Sequence, residues 1–240
     1  ASVRSEEDLG YFYTEDISAI TEDLYQVSRY IKKLYPDVPL VLLGHSMGSL
    51  VARSYLKKHD DAISGLILSG PPTRNPGASF GILLARLSSM LHRDGDRHRS
   101  HTLDRLIIKA FNKGFDQKNG WLSGDSDSVD RYNSDPLCSF SFTNNGYINL
   151  LSLLKEVYDS SGWRLSSPEL PILIMAGSED PVIQSRKSFY ELRDFLRSVG
   201  YKHVEARLYE GKRHELLNEL GKEKIYKDIY SWTEKTVSKG

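Results

Sequence analysis

Leu40-Val41-Leu42-Leu43-Gly44-His45-Ser46-Met47-Gly48-Ser49-Leu50-Val51 carries three signals in twelve residues. The unbroken apolar run Leu40–Leu43 suits a short strand buried on both faces, as in a parallel sheet covered by helices. After Gly44 the apolar residues Leu50, Val51 and Tyr55 return at helical spacing, with Lys57 and Lys58 near the end. Between strand and helix stands Gly44-His45-Ser46-Met47-Gly48, the pattern G-x-S-x-G. A sharp turn there lifts a serine hydroxyl clear of the backbone, and small flanking residues let the two elements approach closely. The helix that follows aims its N-terminus at an oxygen becoming negative during attack, with the Met47 N–H as first donor. The competing account, a Gly/Ser loop beside a core strand, leaves the helical pattern that follows unexplained.

Working outward, Ile17, Ile20, Leu24, Val27, Ile31 and Leu34 predict one buried helical stripe between Thr14 and Tyr35, stopped by Pro36 and Pro39. Buried strands are expected at Ile63–Leu68, closed by Ser69-Gly70-Pro71-Pro72, and at Ile172–Met175, leading into Ala176-Gly177-Ser178-Glu179-Asp180. A fourth, His203 to Leu208, runs into Tyr209-Glu210-Gly211-Lys212-Arg213-His214. Phe189, Leu192, Phe195 and Leu196 mark the helix between the last two strands; Ile225, Tyr226, Ile229 and Trp232 mark a closing helix. The alternation predicts an α/β fold of right-handed βαβ units with a mostly parallel sheet.

About a hundred residues separate the second and third strands, too many for one crossover helix. The expected division is a nucleophile-bearing core over 1–73, an inserted helical lid over 74–168, and a core part bearing acid and histidine over 169–240. Within the insertion, apolar clusters at Phe80, Leu83, Leu84, Leu87 and Leu91, at Leu103, Leu106, Ile107 and Phe111, and at Ile148, Leu150, Leu151, Leu154 and Val157 predict short amphipathic helices. The polar stretch His92–His101 and the Gly/Ser/Asp-rich segment 120–135 separate them.

Composition narrows the partners. With 240 residues and 39% hydrophobic residues the chain can bury a sizeable core, and 32 Lys and Arg balance 32 Asp and Glu. That balance gives no bulk pull toward nucleic acid, and no arginine-aromatic surface is visible. Cys138 stands alone, which suits a reducing, cytoplasmic setting, and no apolar run approaches a bilayer span.

An activated serine needs a base, and the base an orienting carboxylate. Asp180 and His214 each follow a strand in the loop that opens on the edge where Ser46 stands, so the three are distant in sequence and convergent in topology. Glu179 and Asp194 compete with Asp180, which alternatively caps a turn before Pro181. His45 adjoins the nucleophile; His59 ends a helix, and His203 begins a strand at the wrong end. His92, His98 and His101 lie among Asp94 and Asp96, but Arg93, Arg97 and Arg99 put positive charge where a cation would bind, so no metal is assigned.

These residues resemble the monoacylglycerol lipase and lysophospholipase branch of the α/β-hydrolases. The likeness lies in Gly10-Tyr11-Phe12, Leu42 through Ser49, Ala176-Gly177-Ser178-Glu179-Asp180-Pro181 and Arg213-His214-Glu215. The resemblance implies a serine hydrolase of single-chain lipid esters that requires no cofactor, with Ser46, Asp180 and His214 as its triad and the insertion as a lid. Candidate substrate-binding residues are His45, Phe80, Leu83, Leu84, Leu87, Phe140, Phe142 and Tyr147. The lid would allow transient contact with a membrane or micelle. The family's upstream His-Gly and Asp-x-Arg-Gly-His-Gly-x-Ser segments do not match within these residues. The N-terminal strands are therefore expected to be absent from this stretch, supplied by an upstream segment or a second polypeptide, leaving Leu40–Leu43 at an exposed edge.

Overall fold

The computed structural model describes residues 5–238. Its centre is a parallel sheet of β1 (Val41–His45), β2 (Gly65–Ser69), β3 (Ile172–Gly177) and β4 (Val204–Tyr209), in the spatial order β1-β2-β3-β4. The register sets His45 beside Ser69 and Ser69 beside Met175, so the carboxyl ends of the strands form one edge. Each strand lies within a few residues of its expected place.

Alternation along the strands sorts the core into two layers. Leu66, Leu68, Ile172, Ile174 and Val204 pack with helices α2 (Met47–His59) and α7 (Arg186–Val199), while Ile67, Leu173 and Met175 pack with Ile225 and Trp232 of α8 (Lys222–Val237). Helix α1 (Ser18–Leu34) lies against α2. The expected stripe is buried in its first half, where Ile17, Ile20 and Leu24 pack on the core beside buried Thr21 and Ser28, while Val27 is 54% and Leu34 54% exposed. Thr21 Oγ1 donates to Ser54 Oγ at 3.0 Å, so a polar contact at the α1–α2 crossing takes the place of part of that stripe. Among the described residues β1 has no strand on its outer side, and Leu43 is 41% exposed. Within the described sheet it is the edge strand, with Leu42 and Val41 partly buried on its two faces.

Between β2 and β3 run α3 (Ala78–Leu91), α4 (His101–Ile107), α5 (Ser126–Ser134) and α6 (Asn144–Glu156). Helices α3 and α6 pair closely: a side chain at Gly81 would run into Leu151. Helix α5 falls in the segment expected to be a loop. Asp125 starts it, its carboxylate accepting from Asp127 N at 3.1 Å, and only Val129 is fully buried along it.

An N-terminal strap over residues 8–16 binds these helices to the core. Phe12 N donates to Asn145 Oδ1 at 2.8 Å, and Thr143 Oγ1 donates to Gly10 O at 2.9 Å. Asn145 and Asn149 both donate to Thr14 O. Arg97 pairs with Asp8 and lies 4.1 Å from the Tyr11 ring centroid, and Arg99 donates to Leu9 O. Arg97 and Arg99 of the His92–His101 stretch thus hold the strap.

Candidate active site

The turn after β1 has the geometry that the G-x-S-x-G spacing demands. Ser46 sits at φ 50°, ψ −121°, a conformation costing about 1–3 kcal/mol for a residue with a side chain. Gly44 permits it, since an added Cβ would lie 2.5 Å from the Gly48 carbonyl oxygen. Gly48 itself borders open space, so its smallness is not what the close approach uses. Ser46 N donates to Ser69 O at 3.0 Å, tying the turn to β2. Met47 opens α2, and as the first helical residue its N–H has no carbonyl partner within the helix.

Asp180 and His214 meet at the same edge. Asp180 Oδ2 is 2.9 Å from His214 Nδ1, and both side chains are buried, Asp180 at 3% and His214 at 1% exposure. The other carboxylate oxygen accepts from Val182 N at 2.9 Å, so Asp180 caps its turn and holds the imidazole at once. A carboxylate only accepts, which puts the proton on Nδ1 and leaves Nε2 as the free lone pair. The His214 ring packs on Gly70, whose φ is +54° and where an added Cβ would sit 2.9 Å from Nδ1.

Ser46 reaches this pair through its neighbour: the rings of His45 and His214 are 4.7 Å apart. Among the described residues no hydrogen bond joins the Ser46 hydroxyl to His214. Such bonds are commonly loose in ligand-free sites and tighten around substrate. His45 Nδ1 lies 3.2 Å from Ser69 O. Burial, then the nearby His214, pushes the His45 imidazole down to about 4, so it is neutral at physiological pH.

The loop carrying His214 is bolted to the insertion. Glu215 N donates to Leu122 O at 2.7 Å, and His214 N to Trp121 O at 3.4 Å. The Arg213 guanidinium donates to Gly120 O at 2.7 Å and Ser123 O at 2.9 Å. Glu219, 2% exposed, accepts from Arg213 N at 2.7 Å and Gly124 N at 3.1 Å.

Ser46 and Met47 border a cavity of about 470 Å³, within the usual range for small-molecule sites. Its walls are mainly apolar, and of the expected substrate residues Phe80 and Leu84 line it. Leu83 and Leu87 do not line it and are 52% and 45% exposed, lying toward the edge of the α3 face that carries Leu84. Phe140 and Phe142 pack on Gly10 beneath the strap. Tyr147 is fully buried, donating to Asp104 at 3.0 Å, where burial raises its hydroxyl pKa. His45 faces His214 and not the cavity.

Trp121 is the residue that the sequence pattern did not single out. It borders the cavity, lies 4.9 Å from the His214 ring and 5.2 Å from Phe111, and is 7% exposed. Its Nε1 is buried without a hydrogen-bond partner, at a cost of about 1–3 kcal/mol. The signal was a lone tryptophan in a polar segment, which composition alone reads as loop.

A family model described as serine aminopeptidase, S33, matches residues 4–221. The chain belongs to this family. Among its relatives it is 29% identical over 229 residues to the monoglyceride lipase of Mus musculus, spanning 93% of this chain and 67% of that protein. It is 24% identical to the monoacylglycerol lipase of Mycolicibacterium smegmatis, covering 92% and 71%. A thermostable carboxyl esterase from Bacillus coagulans, solved in complex with glycerol, superposes with TM-score 0.79 at 27% identity, over 90% of this chain and 71% of the other. A soluble variant of the Saccharomyces cerevisiae monoglyceride lipase shares the fold at TM-score 0.61 and 21% identity. The chain is an α/β-hydrolase of the monoacylglycerol lipase branch.

Proposed function

We propose that this protein is a serine hydrolase that cleaves carboxylic esters of single-chain lipids, monoacylglycerols or lysophospholipids, through an acyl-enzyme. The observation that carries the proposal is the buried 2.9 Å bond between Asp180 and His214, at the same sheet edge as the strained Ser46, which borders an apolar cavity. Ser46 Oγ attacks the ester carbonyl carbon as His214 Nε2 takes its proton; Asp180 keeps the imidazole oriented and stabilises its cationic form. The carbonyl oxygen becomes an oxyanion facing the Met47 N–H. Collapse expels the alcohol, which takes the proton from His214. Water then attacks the acyl-serine with the same base, releasing the fatty acid and restoring Ser46.

The cavity walls supply apolar contact for one acyl chain, which favours lipid esters over short ones. The outward face of α3 and α4, with Phe80, Leu83, Leu87, Met90, Leu91 and Leu106 all more than a third exposed, suits contact with a micelle or membrane surface.

Labelling with a fluorophosphonate tests the mechanism. Ser46 is the expected adduct site, Ser46→Ala abolishes labelling, and a protein that never labels overturns the proposal. A panel of monoacylglycerols, lysophospholipids, short p-nitrophenyl esters, acyl-CoA and proline amides tests the substrate. A preference for short esters, thioesters or amides removes the lipid assignment while leaving the serine mechanism intact.

A further inference from the structure

Arg53 is a fully buried arginine with no carboxylate to pair with among the described residues. It stands on α2, about two turns beyond Ser46. Its Nε donates to Ser49 O at 3.3 Å, Nη2 donates to Pro72 O at 2.9 Å, and the Tyr158 ring centroid lies 5.0 Å from the guanidinium carbon. Nη1 is buried without a partner. Taking such a cation out of water is costly without a counter-charge, and a methionine of similar length would fill the space more cheaply. Proteins keep a locally unfavourable residue where function uses it.

The partners of Arg53 belong to the two halves of the site. Ser49, whose carbonyl receives Nε, donates its hydroxyl to Ser46 O at 2.6 Å, so one end of the contact is fixed to the turn of the nucleophile. The other end, Pro72 O, lies in the loop after β2, where the Tyr158 hydroxyl also donates to it at 3.3 Å. Two residues before Pro72 stands Gly70, with the His214 ring packed against it. One residue after stands Thr73, whose hydroxyl donates to Ile183 O at 3.1 Å, in the turn that Asp180 begins. The Ser46 hydroxyl and His214 share no hydrogen bond of their own among the described residues, so the surrounding scaffold sets the gap between them.

We infer that Arg53 is a positioning residue for the proposed reaction: its grip on Pro72 O fixes the loop of residues 70–73 against α2 and, through Gly70, holds the His214 imidazole at the distance from Ser46 that proton transfer needs. This deepens the serine-hydrolase reading and rests on it. The effect falls on the chemical step, because Arg53 does not border the cavity. A misplacement of about 1 Å between base and nucleophile costs about a hundredfold in rate.

The test sets Arg53→Met beside Arg53→Lys and reads p-nitrophenyl butyrate hydrolysis, the rate of fluorophosphonate labelling at Ser46, and urea unfolding. Methionine keeps the length and removes every donor. Its kcat and labelling rate are each expected to fall about a hundredfold, with KM within about twofold of wild type and the unfolding midpoint at or above it. Lysine keeps one donor for Pro72 O and is expected to recover about tenfold of that loss. A folded methionine variant with wild-type kcat overturns the inference, and so does a lysine variant no faster than the methionine one. Where only the lysine variant folds, a kcat lowered about tenfold at unchanged KM and midpoint upholds the role, and a wild-type kcat overturns it. A lower midpoint with kcat and KM both impaired, or two variants that do not fold, assigns Arg53 to stability and overturns the inference as well. Wild-type protein that never labels removes the serine-hydrolase reading and this one with it; labelled wild type beside an unaffected variant removes only the role of Arg53.

Discussion

Asp180 divides its two oxygens between a backbone amide and an imidazole, which gives a sharp expectation for its amide analogue. Asp180→Asn keeps the shape and can still accept from Val182 N, but it no longer compels the His214 proton onto Nδ1. The wrong tautomer then presents N–H to Ser46, and kcat should fall about 10³–10⁴-fold with stability nearly unchanged. Ester kinetics alongside urea unfolding read both quantities. His45 offers a test by pH. Its folded value of about 4 lies below the ordinary 6.5, mainly through burial, so its contribution to stability is complete above 6.5 and drains away as pH falls toward 4. At about 1.4 kcal/mol per unit, that is roughly 3 kcal/mol at most. The stability gap between wild type and His45→Gln, from urea unfolding at pH 7, 5.5 and 4, should therefore shift in the variant's favour on acidification. A gap that does not move with pH contradicts the burial of a neutral imidazole.

At the scale of elements, the loop of His214 and the segment Gly120–Gly124 behave as one piece because Glu219 and Arg213 staple them. Glu219→Ala leaves the amides of Gly124 and Arg213 without their acceptor. It should lower kcat several-fold with little change in KM, speed hydrogen exchange at those two amides, and cost about 1–3 kcal/mol. Exchange that stays slow there would show that backbone pairing through Leu122 suffices. None of this staple was legible in the sequence, since the partners lie about ninety residues apart and consist largely of carbonyls and amides. The strands were legible, because Leu40–Leu43 and Ile172–Met175 carry a sheet's apolar content in a few residues, and the pairing of Asp180 with His214 followed from the loops after the last two strands. Helix α5 was not, because a cap at Asp125 and one buried Val129 leave no apolar period to read. In α1 the face was read correctly for Ile17, Ile20 and Leu24, but the crossing with α2 is also made by Thr21 and Ser54, and an apolar count gives hydroxyls no weight.

For the molecule as a whole, two apolar surfaces stay open among the described residues. One includes Leu43 on the open edge of β1, where natural proteins place a cover, with Val27 and Leu34 of α1 exposed as well. The other is the outer face of α3 and α4. Leu83→Asn with Leu87→Asn removes exposed apolar area without touching the cavity wall, so turnover of a dissolved short ester should hold while turnover of micellar monoacylglycerol drops several-fold. Equal loss on both substrates would assign that face to folding.

The strap adds a consequence for how the chain is made. Gly10, Phe12 and Thr14 find their partners at Thr143, Asn145 and Asn149, so this segment leaves the ribosome and then waits for residues more than 130 positions behind it. At ordinary elongation speeds that delay is on the order of ten to thirty seconds. Helix α1 thus emerges long before its tether exists, and synonymous codons that slow translation ahead of residue 143 lengthen the interval in which a chaperone can hold it.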